Sequence, residues 1–538
     1  MFVKRRKDVQ TVSDVVSANV GMSIAEFNSA CEKEPHIYNL DKAVALTNRY
    51  LARHPKGPVT VVGDYDSDGI NATAIMFWAF ARKGVVPKLR LPHRFSEGYG
   101  LSEKIIDEVD AGLLITVDNG IAAVKAVQKA KAKGLTVIVT DHHLPPVDDK
   151  GNPILPEADV VVDPHVDPSK SEFEDYCGAA LAYRFARALL PDLKLKDLLV
   201  LASIATVTDV MPLVGANRTL VKEGLTYINK GLVVPGLKTL LQKLGLDDHI
   251  DEGDYSFKIG PTFNASGRLY DNGAEKVLSV LCMKRNDPKI PWRTDTLVKT
   301  NEMRKEIVKR SMSVAKGLVT EQRPIVIYDS SFSEGIVGII AGQLCESYGC
   351  PAIVFTDADK PGILKGSGRS TPDIHLRDKL DEAKQLIVGY GGHAGAAGLS
   401  IRKEDLAEFN SAFCQAVGPI PDHSQDDIPY DLELDLDRID EVVAELNSLS
   451  PYGEGNPRPV FRLVYAPIHE PRRIGDGSHV MIKDDAITLM GFDMAESICK
   501  FCETYPHTAM DMVGYLSESW FNGTRSYKFE IIAFNKAE

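Results

Sequence analysis

The sequence lacks the features of membrane and secreted proteins. Its 538 residues contain no run of about 18 apolar residues, the length that a membrane-spanning helix needs. The basic start MFVKRRKDVQ has no apolar core behind it, so it does not resemble a secretory signal. There are 8 cysteines, and they are scattered along the chain. Scattered cysteines are typical of reduced thiols, so we expect a cytoplasmic protein without a membrane partner.

Cysteine pairs with metal-binding spacing are also scarce. Cys499 and Cys502 form the single CxxC of the sequence. A structural zinc site normally needs a second such pair or histidines beside the first. The sequence therefore gives little support for a zinc site at this pair.

Positive charge is in deficit, because 62 Lys and Arg residues face 75 Asp and Glu residues, for a net charge of −13. Taken alone, this argues against a nucleic-acid partner. Nucleic-acid binding follows local patches, however, and not the total charge. Residues 284–310 hold nine Lys or Arg against four Asp or Glu, whereas residues 421–441 are strongly acidic. The total charge therefore does not exclude a nucleic-acid partner.

The first half of the chain alternates β-branched runs with helix-like stretches. Four runs have strand character: PVTVVGDYD, AGLLITVDNGI, GLTVIVTDHHLP and ADVVVDPH, which start at residues 58, 111, 134 and 158. A helix-like stretch, AAVKAVQKAKAKG, lies between the second and the third run and ends at Gly134. This order predicts βαβ units and a parallel sheet, which binds ligands at the carboxyl ends of its strands.

Side chains that can bind metals follow three successive strands of this predicted sheet. They are Asp64, Asp66 and Asp68 after the first strand, Asp118 after the second, and Asp141, His142 and His143 after the third. Aligned strand ends would bring these groups to one edge of the sheet. The alternative is that the aspartates only occupy loops and cap helices. Three successive strand ends, one with paired histidines, favour a shared site.

A further candidate is Asp209, in the apolar and helix-compatible run LLVLASIATVTDVMPL at residues 198–213. A carboxylate between Val207 and Met211 is costly unless it is paired or binds a ligand. The alternative is that Asp209 caps the end of the helix. We expect Asp209 to join the other carboxylates.

The pattern becomes helical from about residue 214 to residue 320. Residues 301–319 place Met303, Ile307, Val314 and Leu318 on one helical face. This stretch predicts a connecting helix between two lobes. Its basic residues are either a solvated surface or a DNA contact.

A second α/β pattern and a β-rich tail follow. The α/β pattern runs from residue 323 to residue 401. In the tail, residues 525–534 place Tyr527, Phe529 and Ile531 on one side of a strand. Short strands without long helices favour a small β-barrel.

We therefore predict the α/β class, with two α/β lobes joined by a long helix and followed by a C-terminal β-barrel. The length suits several domains. The predicted division is an N-terminal segment at 1–40, a first α/β domain at 41–213, a helical region at 214–320, a second α/β domain at 321–420 and a β-barrel domain at 421–538.

Carboxylates with imidazole, and without thiolate, form a ligand set that suits Mn²⁺ or Mg²⁺. The two Asp-x-Asp steps, Asp118, His142 and Asp209 offer more ligands than one ion needs. Two ions that share a bridging carboxylate would accommodate them. Such a pair activates water for an in-line displacement at phosphorus. The sequence therefore predicts hydrolysis of a phosphate ester or anhydride.

A phosphate substrate also needs cationic and amide donors, and segments rich in small residues offer them. FNASGRL presents Arg268, and GSGRS presents Ser367 and Arg369, each in a predicted turn. GYGGHAGAAGLS surrounds His393 with five glycines. Tight packing is the alternative explanation of this loop, but we expect its backbone and imidazole to contact the scissile phosphate.

Segments in this order resemble the sequence blocks of one enzyme superfamily. GDYDSDG, TVDNGI, TDHHLP and ATVTDVMPL resemble the four blocks of the DHH phosphoesterases. PTFNASGRL, SEGIVGIIAG, GSGRS, GYGGHAGAAGLS and PYGEGNPRPVF resemble further blocks of the RecJ branch of that superfamily. The resemblance runs from about residue 60 to residue 461.

The resemblance implies a 5′→3′ exonuclease that hydrolyses single-stranded DNA with two Mn²⁺ or Mg²⁺ ions, in DNA recombination and repair. It implies a DHH domain, a connecting helix, a DHHA1 domain and a C-terminal OB-fold. It implies metal ligation by Asp66, Asp68, Asp118, His142 and Asp209, with Asp64 close by. Asp118 would be the bridge between the ions.

The resemblance also implies roles around the metals. Asp141 and His143 would steer His142 or face the substrate. The residues that would bind the 5′ phosphate are Arg94 of PHRFSEGYG, Arg268, Ser367 and Arg369. His393 would hold the scissile phosphate from the second lobe. The catalytic candidates are thus Asp118, His142, His143 and His393.

The expected partner is single-stranded DNA with a 5′ end, and a single-strand-binding protein or a helicase would be a further partner. The strand would lie in a channel too narrow for a duplex, and the OB-fold would hold it by charge and by base stacking. Trp520, Phe521 and Tyr527 are candidate stacking residues, with core packing as the alternative.

Two other functions fit parts of the pattern. A nano-RNase, a cyclic-dinucleotide phosphodiesterase or a pyrophosphatase would use the same metal site, but these enzymes have smaller chains and usually no OB-fold. A non-catalytic DNA-binding scaffold would tend to lose metal ligands, which are all present here. One departure from RecJ is Phe332 and Ser333, which stand where a Trp–His or similar pair is typical. This departure concerns a peripheral contact and not the metal ligands.

Overall fold

The structure is a computed structural model that describes residues 2–29, 34–420, 427–465, 468, 470–483, 486–521 and 524–537. The chain begins with strand β1 (Phe2–Lys4) and helices α1 (Val12–Val20) and α2 (Ile24–Ser29). Within the described ranges, no helix combines the length and the apolar character that crossing a membrane requires.

The first lobe is built on a parallel five-stranded sheet. Its strands are β2 (Val59–Val62), β3 (Lys88–Arg90), β4 (Leu113–Val117), β5 (Thr136–Thr140) and β6 (Val160–Val162), in the order β3-β2-β4-β5-β6. At the centre of the sheet, Ile115 of β4 pairs with Val61 of β2 on one side and with Ile138 of β5 on the other. Strands β2 and β4 are buried along their whole length, as their unbroken apolar runs predict for a sheet covered on both faces.

Helices cover both faces of this sheet. They are α3 (Leu40–Arg53), α4 (Ser67–Arg82), α5 (Glu103–Asp107), α6 (Val124–Ala132), α7 (Gly178–Leu189) and α8 (Lys196–Thr208). Val61 and Ile115 share a core with side chains of α4, α7 and α8, while Val62 and Leu114 share another with side chains of α5 and α6. Neighbouring strand residues thus point to opposite faces. The predicted parallel sheet is confirmed.

A helical region follows the first lobe. It contains α9 (Gly215–Asn229), α10 (Pro235–Lys243), α11 (Glu252–Asp254), a π-helical turn (Tyr255–Ile259), α12 (Gly260–Leu269), α13 (Gly273–Leu281) and α14 (Ile290–Leu318). Leu297 of α14 belongs to the core of the first lobe, whereas Val308 and Met312 belong to a separate core with the second lobe. The 29-residue α14 therefore connects the lobes, as predicted.

The prediction of the apolar face of α14 was wrong in part. Met303, Val314 and Leu318 are 38%, 41% and 39% exposed. Val308 and Met312 are buried instead. The helix contacts two cores in succession, so one stripe of fixed period does not describe its buried side.

The second lobe has a mixed five-stranded sheet. Its strands are β7 (Ile325–Tyr328), β8 (Ala352–Asp357), β9 (Ile363–Arg369), β10 (Ile387–Gly392) and β11 (Ala396–Arg402), in the order β10-β11-β9-β8-β7. Strands β7 and β8 are parallel, and the other pairs are antiparallel. Its helices are α15 (Val337–Tyr348), α16 (Leu376–Glu382) and α17 (Leu406–Val417). The predicted second α/β lobe is confirmed.

The C-terminal domain is built on a seven-stranded sheet. After β12 (Ile428–Tyr430), its strands are β13 (Leu432–Glu433), β14 (Phe461–Tyr465), β15 (Arg472–Ile474), β16 (His479–Lys483), β17 (Thr488–Gly491), β18 (Met510–Phe521) and β19 (Thr524–Lys536), in the order β13-β14-β18-β19-β17-β16-β15. Its helices are α18 (Ile439–Leu449) and α19 (Ala495–Thr504). Phe529 and Ile531 of β19 are buried in its core, as their spacing predicted.

The N-terminal segment packs on this C-terminal domain. Strand β1 pairs in parallel with β12, where Phe2 lies opposite Ile428. Val15 of α1 and Phe27 of α2 share a core with Phe529. The sequence did not predict this association of the two ends of the chain.

Candidate active site

The predicted strand-end residues meet at one edge of the first sheet, around His142. The Nε2 atom of His142 lies 3.1 Å from Asp118 Oδ1 and 3.7 Å from both Asp68 Oδ2 and Asp209 Oδ2. Strands β2, β4 and β5 are neighbours, so their carboxyl ends bring three of these side chains together. Asp209 occupies the C-cap position of α8 and joins them from a helix end. Both sequence interpretations of Asp209 therefore describe its position.

Helix N-termini hold two of the aspartates. Asp66 caps α4, where its Oδ1 accepts hydrogen bonds from the Asp68 and Gly69 N–H groups at 3.0 and 3.1 Å. Asp68 accepts from the Gly178 and Ala179 N–H groups at 2.6 and 2.7 Å, at the start of α7. The free N–H groups and the positive end of a helix dipole stabilise ionised carboxylates. The fold thus fixes both side chains.

Asp118 occupies a strained and crowded position. Its φ of 62° lies in the left-handed region, which residues other than glycine seldom adopt. A Cβ at position 178 would lie 2.4 Å from Asp118 Cβ, so Gly178 is required for this approach. The Asn119 amide donates to the Val62 and Val117 carbonyls at 3.1 and 2.9 Å and closes the loop after β4. Local strain of this kind is concentrated at functional sites.

The carboxylates of the cluster repel one another. Burial, followed by the charges of Asp68 and Asp66, raises the pKa of both Asp118 and Asp209 well above the usual value. Burial and Asp66 do the same to the pKa of Asp64. Burial lowers the pKa of His142, which favours the neutral imidazole that metal ligation requires. A divalent cation among these groups would compensate the repulsion.

Two buried carboxylate oxygens of this cluster also lack hydrogen bonds among the described residues. They are Asp64 Oδ2 and Asp118 Oδ1, the second of which lies near His142 Nε2 without hydrogen-bond geometry. The two residues are 1% and 2% exposed, so bulk water cannot satisfy them. An unsatisfied buried oxygen is costly, and a hard cation is a fitting partner for it.

The potential ligand atoms form two overlapping groups. Asp118, His142 and His143 offer atoms within 4.8 Å of one another, and so do Asp68, His142 and Asp209. The donors are carboxylate and imidazole alone, so the set fits the predicted Mn²⁺ or Mg²⁺.

Asp141 orients both histidines. It accepts hydrogen bonds from the His142 N–H, His143 Nδ1 and the Ile121 N–H at 2.8, 2.8 and 2.9 Å. Burial would raise the pKa of Asp141, but the hydrogen bond and the charge of His143 lower it. Burial would lower the pKa of His143, but Asp141 raises it to about 9. Asp141 therefore favours the protonated form of His143, whose side chain is 46% exposed.

Tyr99 contacts the same groups and was not assigned from the sequence. Its hydroxyl donates to the Asp118 carbonyl at 3.0 Å and lies 3.1 Å from His143 Nδ1. Its ring meets the Tyr65 ring edge-on at 6.5 Å, and the Arg94 guanidinium covers Tyr65 at 4.8 Å. The signal that could have found Tyr99 was its place in the SEGYG block beside Arg94.

Arginine side chains gather where the two lobes meet. Arg268, in α12, donates to the Gly335 carbonyl of the second lobe at 3.2 Å. Burial, followed by the charges of Arg94, Arg369 and Arg304, lowers the pKa of Arg268 to about 10. These cations are close enough to repel one another, and an anion between them would relieve the repulsion. The structure thus brings together three arginines that the sequence analysis assigned to phosphate binding.

Arg304, on α14, is a fourth member that the sequence analysis did not assign. Arg304 and Arg268 line a cavity of about 270 Å³ that reaches Ile339 of the second lobe. Asn264 also lines it and accepts a hydrogen bond at 2.9 Å from the N–H of Ser67, the residue between Asp66 and Asp68. The cavity therefore extends from a residue that binds the aspartate loop to the second lobe. The basic stretch at 284–310 was the available signal for Arg304.

The predicted turns at two arginines were wrong. Ser367 and Arg369 lie in strand β9, and Arg268 lies in helix α12. Arg369 Nη1 donates to Ser367 Oγ at 3.1 Å, so the sheet fixes the pair. The glycines here serve packing, since a Cβ at Gly366 would lie 2.5 Å from the Phe355 ring.

His393 lies in the turn between β10 and β11, so the predicted loop is a β-hairpin. Its side chain is exposed, and its Nδ1 accepts from the Gly395 N–H of the same turn at 3.4 Å. Strand β11 pairs with β9 so that Ala396 lies opposite Arg369, which places the turn beside the end of the arginine strand. Its contact with the scissile phosphate stays a prediction.

The fold and the site define the class of this protein as a metal-dependent phosphoesterase of α/β architecture. Three family models match it: the DHH family, N-terminal domain, at residues 58–206, the DHHA1 domain at 321–418, and the RecJ OB domain at 430–533. The last match confirms the predicted C-terminal OB-fold.

Comparison with curated proteins and solved structures identifies the family of this chain. The single-stranded-DNA-specific exonuclease RecJ of Salmonella typhimurium is 32% identical over 456 residues, 78% of this chain and 77% of that protein. RecJ of Bacillus subtilis is 32% identical over 459 residues, and the match covers 81% of this chain but only 56% of that longer protein. The Mn²⁺ complex of Thermus thermophilus RecJ matches with a TM-score of 0.79 at 26% identity, over 98% of this chain and 76% of that one. The Mg²⁺ complex of the same protein matches with a TM-score of 0.73 at 25% identity, over 98% of this chain and 74% of that one. The chain belongs to the RecJ family.

Proposed function

We propose that this chain hydrolyses single-stranded DNA from its 5′ end, with Mn²⁺ or Mg²⁺, in DNA recombination and repair. The observation that carries the proposal is the neighbourhood of two groups: the carboxylate cluster around His142 and the arginines around Arg268. The first group suits metal-dependent hydrolysis at phosphorus, and the second suits a polyanion. The RecJ relatives, which are named for single-stranded DNA, support the same substrate.

The cluster would hold two ions. The proposed ligands are Asp66, Asp68, Asp118, His142 and Asp209, with Asp118 shared and Asp64 beside them. When bound, such ions lower the pKa of a water and stabilise charge on the attacking and leaving oxygens. The chain itself supplies orientation, because α4 and α7 fix two aspartates and Asp141 fixes the histidines.

The arginines would bind the substrate phosphates. The proposed contacts to the 5′ phosphate are Arg94, Arg268, Ser367 and Arg369. His143, whose protonated form Asp141 favours and whose side chain is 46% exposed, would face the substrate. His393 would contact the scissile phosphate from the second lobe. These two histidines complete the proposed catalytic set with Asp118 and His142.

Selectivity for a single strand would come from a channel between the lobes that is too narrow for a duplex, and from the OB domain. Of the candidate stacking residues, the side chains of Trp520 and Phe521 lie outside the described part of the chain. The Tyr527 ring packs against the domain core, and its hydroxyl donates to Asp440. This packing favours a structural role for Tyr527.

The domain division given above belongs to the proposal, including the N-terminal segment at 1–40. The matched ranges 58–206, 321–418 and 430–533 fall within 41–213, 321–420 and 421–538, and support it. We also propose a cytoplasmic location, which the free thiols of the described cysteines support. A single-strand-binding protein or a helicase is the proposed protein partner.

The test uses single-stranded DNA labelled at its 3′ end, incubated with the purified chain and Mn²⁺. We expect progressively shorter labelled fragments, and none with chelator, with Asp118→Asn or with the matched duplex. Asp247→Asn, at an exposed aspartate of the helical region, serves as the matched control and keeps activity. An intact strand that the wild-type chain still binds would instead support a non-catalytic DNA-binding protein.

A further inference from the structure

Two apolar side chains are exposed in or next to the cavity that Arg268 and Arg304 line. Val210, which lines the cavity, is 65% exposed, and Phe257 is 81% exposed. Phe257 follows Ser256, which also lines the cavity. Single exposed apolar residues are common on protein surfaces. Here Val210 lines a cavity that two half-buried arginines also line, and Phe257 adjoins a residue of the same lining.

Both residues depend on irregular backbone. Val210 has a φ of 57°, a left-handed conformation that is strained for a β-branched residue. Phe257 lies in the π-helical turn between α11 and α12. Turns of this kind are rare and occur often at functional sites. Both irregularities present apolar groups to water, which does not help folding and which contact with a ligand would explain.

Close packing ties the two positions to the carboxylate cluster. The Gly260 N–H donates to the Tyr255 carbonyl, which closes the π-helical turn. A Cβ at Gly260 would lie 2.4 Å from Thr208 Cγ2, so only glycine permits this contact with the end of α8. Thr208 directly precedes Asp209 and Val210 in the chain. Val210 and the turn that carries Phe257 therefore have a fixed position relative to the carboxylate cluster.

We infer that Phe257 and Val210 contact an unpaired nucleobase of the strand whose phosphates the arginines bind. This inference rests on the proposed function and adds a determinant of substrate choice. A nucleobase has an apolar π-face, and an aromatic platform beside cations is the recurring composition of single-strand sites. A base in a duplex is stacked and paired on both sides. The contact therefore selects single strands by their bases as well as by their width.

The test measures binding with base-modified oligonucleotides. The full chain carrying Asp118→Asn is mixed with 5′-phosphorylated dT16 that contains 2-aminopurine at one of its first positions. We expect stacking to quench the fluorescence at one position. Phe257→Ala in the same chain restores the fluorescence and weakens binding roughly five- to hundredfold, while Phe257→Trp retains the quenching.

A second oligonucleotide separates base contact from a structural effect. It carries an abasic residue at the quenched position. The chains with Phe257 and with Phe257→Ala bind this strand equally if the ring contacts the base. The inference is overturned if Phe257→Ala loses the same affinity for the normal and the abasic strand, or loses none for either. Trp292→Ala is the matched control, since Trp292 is 56% exposed and lies about 18 Å before Arg304 along α14.

Val210→Gly gives an independent result, because it removes the side chain and the strain together. We expect a raised Tm and weaker binding of the normal strand, with unchanged binding of the abasic strand. A lowered Tm with equal loss for both strands contradicts the inference. Cleavage of a 3′-labelled strand by the wild-type chain is followed in parallel. Quenching without cleavage contradicts the proposed function alone, and cleavage without quenching at any position contradicts this inference alone.

Discussion

Arg268 is the side chain at which both lobes and several positive charges meet. It reaches the Gly335 carbonyl of the second lobe, and burial together with its arginine neighbours lowers its pKa to about 10. A protein keeps such a repulsive arrangement when an anion compensates it. At the scale of single residues, this makes Arg268 the most informative substitution outside the carboxylates.

Arg268→Met should weaken binding of 5′-phosphorylated single-stranded DNA roughly ten- to hundredfold, since a hydrogen bond to a charged group is lost. Folding stability should not fall, because a repulsive charge is removed as well. Fluorescence anisotropy and thermal unfolding measure the two effects. The matched control is Arg310→Met, whose side chain is 83% exposed on α14. Equal losses of affinity in both variants would contradict the proposed role.

The site carboxylates could be predicted from the strand pattern of the sequence, whereas only the place of Tyr99 in the SEGYG block could have indicated it. Asp64, Asp118 and His142 follow β-branched runs, and parallel strands bring their carboxyl ends to one edge. Tyr99 lies in the loop between β3 and α5, and no periodic pattern shows where its hydroxyl will lie. Arg304 was hidden for a similar reason, since a basic helix is usually just solvated.

At the scale of elements, the start of α7 supports the site. Its first N–H groups hold Asp68, and the absence of a side chain at Gly178 allows Asp118 to approach. The helix thus acts on two predicted metal ligands at once. The effect of α7 on Mn²⁺ affinity should be measurable separately from its effect on folding stability.

Gly178→Ala should lower the free energy of unfolding by about 1–3 kcal/mol, because a Cβ 2.4 Å from Asp118 Cβ overpacks the site. Mn²⁺ affinity should fall with it. Denaturant unfolding and calorimetric Mn²⁺ titration measure these effects. Gly317→Ala, in α14 with open space around the position, is the control and should stabilise by about 0.5–1 kcal/mol. Normal Mn²⁺ affinity in Gly178→Ala would refute the supporting role of α7.

The second lobe shows where element prediction failed. Gly366 and Gly368 indicate a turn by composition, yet both lie in β9. A Cβ at these positions would lie 2.5 Å from the Phe355 ring and 3.0 Å from Leu376 Cδ2. Small residues thus serve close packing across the sheet. Only the tertiary neighbours reveal this, so the strand could not be assigned from the local sequence.

At the scale of the whole molecule, the two ends of the chain form one unit. Phe27 of the N-terminal segment is 2% exposed in the core of the C-terminal domain, and Arg218 of α9 covers its ring at 4.1 Å. Contacts between residues hundreds of positions apart leave no periodic signal. The lobes and the OB domain could therefore be predicted, but not the partner of the N-terminal segment.

Phe27→Ala should lower the free energy of unfolding of the C-terminal domain by about 3–5 kcal/mol, because it removes a buried ring. Mn²⁺ binding at the first lobe should not change. Denaturant unfolding together with Mn²⁺ titration tests both parts. Val3→Ala, at a residue 41% exposed, should leave stability nearly unchanged. A loss of Mn²⁺ affinity in Phe27→Ala would show that the domains are more strongly coupled than their contacts indicate.

The central claim is that repelling buried carboxylates and His142 hold a pair of ions with Asp118 between them. Low-temperature EPR of the full chain titrated with Mn²⁺ tests it most directly. The account predicts two Mn²⁺ per chain with an exchange-coupled spectrum, which Asp118→Asn abolishes and Asp247→Asn preserves. A single bound Mn²⁺, two uncoupled ions, or a coupled pair that survives Asp118→Asn would contradict the account.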